Sequence, residues 1–303
     1  MQKKEMTAYW EYVDHAWTDS KEYSGCGFYF MKRWTPEVMA KSRQLMDAGL
    51  AAAQTPAEKF RVGLANESLK QHEHFMKMRH DLAEGKYANL ASEGAAWMKR
   101  HVELGEQYKD QHTFTNVGWT PLTVAGMYFN AFYKATYDDA TRVASEFNVV
   151  TPPMRKWKFA VDEKKEGEAA GYAKVGFDDT AWKETDVCMD SWSALGYHDD
   201  FGSMWYRSNV KIPAAAGKKT YLWIGSTDGK VKVFVNGQHI PYLNPKGESL
   251  PEFEGYCQPI SLDISSAIKP DGENQISIFA TRTFFNELGT GGLLSQTLIY
   301  QEK

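Results

Sequence analysis

The chain has 303 residues, with 35 Lys and Arg against 39 Asp and Glu and a formal net charge of −4. That length suits two domains with sizeable cores. The charge is spread over both halves and marks neither nucleic acid nor a membrane surface as a partner, and no apolar run is long enough to span a bilayer.

Aromatic residues make up 14% of the chain and include 10 Trp. Trp is mostly buried, so core packing is the default reading for each, with sugar stacking as the alternative. The three cysteines, Cys26, Cys188 and Cys257, cannot all pair. Cys188 and Cys257 share the second half, where one bridge is open, but buried free thiols are the expectation because this is no disulfide framework. No CxxC or Cys/His spacing appears, which argues against zinc. The start, Met1-Gln2-Lys3-Lys4-Glu5, is basic without an apolar stretch behind it and is not read as a signal peptide.

Residues 7–18 place Tyr9, Trp10, Val13, Ala16 and Trp17 at helical spacing. A break follows at Gly25 and Gly27, beside Phe28, Tyr29 and Phe30. Thr35-Pro36 then predicts a helix start, with Thr as N-cap and Pro in the first turn. Thr55-Pro56-Ala57-Glu58 is a capping box opening a helix to about Leu82, stopped by Gly85. A third helix is predicted over 90–109 and a fourth from Thr120-Pro121 to about Phe147. Short connections favour antiparallel packing, so residues 1–153 are expected to form a helical bundle. Thr151-Pro152-Pro153 marks its end.

The second half reads as strands. Trp157, Phe159 and Val161 alternate. Residues 162–171 form a charged loop. Residues 204–237 run strand, turn, strand, turn, strand, with Gly217-Lys218 and Asp228-Gly229 as turns. Val231, Val233 and Val235 keep the period of two that a half-buried strand requires. Asn236-Gly237 closes the run with residues that tolerate positive φ. Residues 241–258 read as a long loop, followed by strands near 260–264, 275–281 and 294–300. Short strands at this spacing make residues 154–303 an antiparallel β-sandwich or jelly roll.

Six pieces in order carry a resemblance: Asp178-Asp179-Thr180 with Trp182; Trp205-Tyr206-Arg207 with Ile212-Pro213; Asp228-Gly229 through Asn236-Gly237; Asp263-Ile264-Ser265; Asn274, Ile276 and Ile278; and Gly291-Gly292-Leu293. They resemble the jelly-roll, galactose-binding-like sugar-binding domain of family-2-type glycoside hydrolases. In that family most of these residues build the framework, and Trp182 is inserted under the sandwich. In the first half, the aromatic start, Thr35-Pro36-Glu37 and Ala57-Glu58-Lys59-Phe60-Arg61-Val62 are similar to the helical region after the barrel in secreted bacterial glycoside-hydrolase-like relatives of the alpha-glucuronidases. The resemblance implies the C-terminal part of such a protein, secreted or periplasmic, without its catalytic barrel of about 250 residues.

Three loops, 190–203, 241–258 and 283–290, combine aromatics with amides and carboxylates. In the resembled fold they sit at one end of the sandwich. Aromatic planes cover the apolar face of a sugar while amides, acids or His bind its hydroxyls. The candidate carbohydrate site is therefore drawn from Trp192, Tyr197, His198, Asn244, Tyr256, Phe285 and Asn286. The alternative is that these residues pack against the helical half or a neighbouring domain. Asp199 and Asp200 could hold a structural calcium with loop carbonyls; no other cofactor is expected.

Catalysis by the chain itself is not the expectation. Glycoside hydrolysis needs two carboxylates about 5–10 Å apart across a cleft, and the adjacent pairs Asp138-Asp139 and Asp178-Asp179 diverge. In the stretch from Gln71 to His80, His72, Glu73, His74 and His80 miss the HExxH spacing, and His72 and His74 point to different helix faces. A solvated face is expected there. No P-loop, Rossmann or G-x-S-x-G pattern appears. The function expected is glycan binding or support of a catalytic barrel. The alternatives are glycoside hydrolase activity and a structural module without a sugar ligand.

Overall fold

The structure is a computed structural model, and it describes residues 3–19, 30–111, 129–197, 202–282 and 291–303. Among these residues the helices lie in the first half and the antiparallel strands in the second, giving a mixed α+β architecture. Cys26, the 25–29 cluster and the Thr120-Pro121 helix start lie outside the described residues.

Helix α1 is Lys3–Thr18, α2 is the single turn Phe30–Arg33, α3 is Pro36–Ala52, α4 is Pro56–Ala83 and α5 is Leu90–Gln107. A π-helical turn, Asn130–Lys134, leads into α6, Ala135–Glu146. The starts of α3 and α4 follow their caps. The Thr35 hydroxyl accepts from Val38 N at 3.3 Å. Thr55 accepts from Glu58 N at 3.3 Å, while the Glu58 carboxylate takes Thr55 N at 3.0 Å and Gln54 N at 3.1 Å. These bonds satisfy amides the helix itself leaves unpaired. Gly85, at φ +84, ends α4 in a conformation that L side chains rarely adopt. Arg43 of α3 grips Glu73 of α4 through two bonds of 2.8 and 2.7 Å, and Arg100 of α5 reaches Glu67 of α4 at 2.7 Å. In α1 only one side of the aromatic set is covered: Tyr9 is 5% exposed, Trp10 53% and Trp17 46%.

All strand pairings between the described residues are antiparallel. The larger sheet runs, in order, Phe253–Tyr256, Thr227–Val235, Gly272–Thr281, Ser203–Ile212, Lys156–Val161 and Lys183–Asp186. Short strands Gln238–Ile240 and Gly292–Leu293 also pair with Thr227–Val235. The smaller sheet runs Asn148–Val149, Thr297–Gln301, Thr220–Ile224 and Ile260–Asp263. One hydrophobic cluster joins the two sheets: Trp157, Phe159, Val231, Val233, Val235, Ile276 and Ile278 from the larger, and Leu222, Ile224, Ile260, Leu262 and Ile299 from the smaller.

The outer faces of both sheets are covered as well. Trp223, Leu298 and Tyr300 of the smaller sheet join Phe75, Leu82, Tyr137 and Val143 of the helices in a second cluster. Trp223 donates its indole N–H to Asp139 of α6 at 2.8 Å, and the Thr136 hydroxyl donates to Gly225 O at 2.6 Å. On the larger sheet, Trp205 and Phe234 pack under the 162–182 loop with Ala173, Tyr172 and Trp182. Asp162 fastens that loop by accepting from Trp205 Nε1, Glu166 N and Gly167 N at 2.8–2.9 Å.

Several details differ from the sequence reading. Asp228-Gly229 is not a turn: it lies inside the Thr227–Val235 strand, and the chain changes sheets across Gly225-Ser226 instead. Glycine is required at 229 because φ is +94 and an added Cβ would stand 2.4 Å from the Thr281 carbonyl oxygen. The expected 241–258 loop contains a hairpin, Tyr242–Leu243 with Ser249–Leu250, and the edge strand Phe253–Tyr256. Asn148–Val149 already belongs to the smaller sheet, five residues before the expected boundary at 153.

Candidate functional site

Register places one group of loop-flanking residues at a single end of the larger sheet. Thr281 pairs with Lys230 and Ser203, Tyr256 pairs with Asp228, and Gly292 also pairs with Asp228. Arg282 N donates to Gly202 O at 3.1 Å. Gly291 and Gly292 lie directly on the Trp192 indole, where a Cβ would come within 2.6–2.8 Å of ring atoms. Two of the three expected loops, 190–203 and 283–290, therefore spring from one place. The sequence clue was the Gly291-Gly292 pair, whose lack of Cβ lets the backbone approach the ring.

The individual candidates fare differently. Trp192 is corrected from a stacking platform to a core residue. It is 2% exposed, belongs to the cluster between the sheets, and donates Nε1–H to the Tyr206 hydroxyl at 2.7 Å, leaving no ring face for a sugar. Burial in turn pushes the Tyr206 phenol well above its ordinary range. Tyr197 is half-buried against the same core and donates its backbone N–H to Trp192 O at 2.8 Å. Asn244 sits apart, in the turn of the 242–250 hairpin. Its Oδ1 accepts from Lys246 N and Glu248 N, both at 2.9 Å, and its Nδ2 donates to Glu248 Oε2 at 2.7 Å. Those bonds use the amide to shape the turn. Tyr256 is half-buried and meets Phe132 of the helical half edge-on at 5.6 Å. His198, Asp199, Asp200, Phe285 and Asn286 lie outside the described residues.

The adjacent acid pairs have structural partners. Asp179 binds Lys158 at 2.7 Å and Arg207 at 2.9 Å, and Asp178 caps Thr180. Burial opposes the charge on Asp179, but bonds from Lys158 and Arg207 outweigh it and hold its carboxyl below the usual range. Phe177 and Trp182 flank the Arg207 guanidinium at 5.5 and 5.9 Å. Asp139 is held by Arg142 at 2.7 Å as well as by Trp223. Among the described residues, no group of three or more His, Cys, Asp or Glu could hold a metal ion.

Sequence reasoning missed the polar seam between the halves. Gln296, fully buried, donates Nε2–H to Leu82 O at the end of α4 and to the Tyr87 hydroxyl at 3.4 Å. Its Oε1 accepts from the Ser295 hydroxyl at 2.8 Å and the Cys188 thiol at 3.4 Å. Cys188 and Cys257 are both buried and form no disulfide with each other, and burial pushes the Cys188 thiol up to about 12. The expected solvated histidine face is also corrected: His72 turns inward with its ring centroid 4.7 Å from Trp34, whereas His74 bonds Glu93 at 2.6 Å.

These features define an α+β protein whose antiparallel sheets share a core, the smaller one roofed by helices, with no helix among the described residues long and apolar enough to cross a membrane. No protein-family model matches the chain, and neither does any curated protein. Among solved structures, it is similar over 52% of its length to the apo β-glucuronidase of Ruminococcus gnavus, at 21% identity and a TM-score of 0.43, covering 29% of that enzyme chain. The same enzyme in complex with D-glucuronic acid matches over 50% of this chain and 29% of its own, at 21% identity and a TM-score of 0.41. These neighbours are glycoside hydrolases, and the chain spans less than a third of their length.

Proposed function

We propose that residues 1–153 form a helical bundle and residues 154–303 a galactose-binding-like jelly roll. Together they act as the non-catalytic part of a secreted bacterial carbohydrate-active protein, binding glycan or supporting a catalytic barrel. Glycan contact is assigned to the loop end that carries Tyr197, His198, Tyr256, Phe285 and Asn286, with Asp199 and Asp200 as oxygen ligands for a structural calcium.

The observation that supports this reading is the use made of the motif acids. Asp178, Asp179 and Asp139 are engaged by hydroxyl, Lys, Arg and Trp partners that tie loops and helices to the sheets. Carboxylates committed in this way position a framework. A glycosidase needs its acids facing each other across an open cleft.

The test is titration calorimetry of the chain against a panel of oligosaccharides and polysaccharides, run beside a reducing-sugar release assay. Binding without release is expected. Release of reducing sugar overturns the non-catalytic assignment in favour of a glycoside hydrolase, and no heat from any glycan removes the binding half of the reading.

A further inference from the structure

The helical half contains an aromatic cluster with polar atoms set among its rings. Gln71, His72 and Phe75 share one face of α4, because residues three and four apart align. Trp34, just after α2, sets its ring centroid 4.7 Å from His72, and Phe30 lies 6.1 Å from the same ring. From α5, Trp97 donates Nε1–H to the Gln71 carbonyl at 2.9 Å and stacks on His101 at 5.5 Å. Phe75 links the two sides, 6.3 Å from Phe30 and 6.0 Å from Trp97.

Four polar atoms in this aromatic cluster are shut from water and have no hydrogen-bond partner among the described residues: Trp34 Nε1, Gln71 Oε1, His72 Nε2 and His101 Nδ1. Trp34 is itself only 7% exposed. Buried polar atoms are normally paired, and leaving one unpaired is unfavourable. Four on residues joined by these contacts mark a place where a ligand supplies the missing bonds.

We propose that this face of the helical half is a binding site for a neutral polyhydroxylated ligand, a sugar unit of a glycan. The chemistry of the set matches such a ligand. The indole N–H donates, the Gln71 side-chain Oε1 accepts from a hydroxyl, and each imidazole nitrogen takes either role. The rings cover C–H surface. Burial lowers the basicity of both imidazoles, so they meet the ligand uncharged. The neighbouring carboxylate, Glu73, is occupied by Arg43. The inference rests on the carbohydrate reading above and adds a contact in the helical half to the one at the sandwich loops.

The test uses the whole chain, titrated with neutral mono- and oligosaccharides, alongside Trp34→Phe, Gln71→Met and His72→Phe. Each substitution removes one unpaired atom and keeps much of the side chain's bulk. For a sugar that the wild type binds, at least tenfold weaker binding is expected, with a sugar-free Tm unchanged or raised, since a buried unpaired group has gone. Affinities within twofold of wild type in all three overturn the site and leave the carbohydrate reading standing. A fall in sugar-free Tm in all three also overturns the site, because the atoms are then satisfied within the protein. A wild type that binds no sugar overturns the site together with the glycan-binding half of the reading above.

Discussion

Replacing Gln296 with Leu tests whether the two halves fold as one unit. Leu fills similar space but offers no hydrogen bond. It strands the Ser295 hydroxyl in a buried setting and removes the bond to the Leu82 carbonyl, which keeps only its backbone bonds at the end of α4, together with the weaker Tyr87 and Cys188 contacts. The lost bond to Leu82 is worth about 1 kcal/mol and the orphaned hydroxyl about 2 kcal/mol, so the substitution costs about 3 kcal/mol. With a urea m-value of about 3 kcal/mol/M or more for a chain of this size, the midpoint falls by about 1 M. The assay is urea unfolding followed by far-UV circular dichroism, which reports the helices, and by tryptophan fluorescence, which also samples the sheets. Because Trp223, Leu298 and Tyr300 share a core with the helices, both signals should move together. Two separated transitions, with the variant shifting only one, would refute the shared-core reasoning; so would a loss below about 1 kcal/mol.

Three further outcomes follow from single residues. Burial holds the His72 imidazole down to about 4, against 6.5 unfolded. Its contribution is therefore complete above about pH 6.5 and is lost as pH falls toward 4, since only the unfolded chain takes up the proton there, on the order of 3 kcal/mol in all. Unfolding midpoints at pH 7 and pH 4.5 should show a smaller drop for His72→Phe than for the wild type, and equal drops would disprove it. Asp162→Ala leaves two buried donors, Trp205 Nε1 and Gly167 N, and the part-buried Glu166 N unpaired and should cost about 3–5 kcal/mol by urea unfolding, with Asp162→Asn in between. Gly229→Ala forces a side chain into positive φ and against the Thr281 carbonyl; a Tm drop of about 5 °C is expected by calorimetry, and an unchanged Tm would contradict the geometry.

Local chemistry made much of the fold readable. The capping box at Thr55 and Glu58 and the stop at Gly85 work through bonds within a few residues, so the α4 boundaries fall where the letters indicate. Val231, Val233 and Val235 face the shared core as their alternation predicts. What escaped depends on contacts distant in sequence. Asp228-Gly229 has the composition of a turn, yet the close approach of Thr281 demands that glycine within a strand. Trp192 has the composition of a stacking residue, but a sequence cannot reveal that Tyr206 and two glycines enclose it. His72 and Gln71 looked like part of a polar helix surface because Trp34, Trp97 and Phe30 arrive from other helices.

The roof of helices over the smaller sheet also dictates how the protein may be dissected. A fragment starting at residue 154 would lose the Asn148–Val149 strand that flanks Thr297–Gln301 and would bare Trp223, Leu298 and Tyr300 to water. Such a sticky greasy plane invites clumping. Anyone wishing to study the sheets by themselves must therefore carry the helices along or redesign that plane with polar side chains.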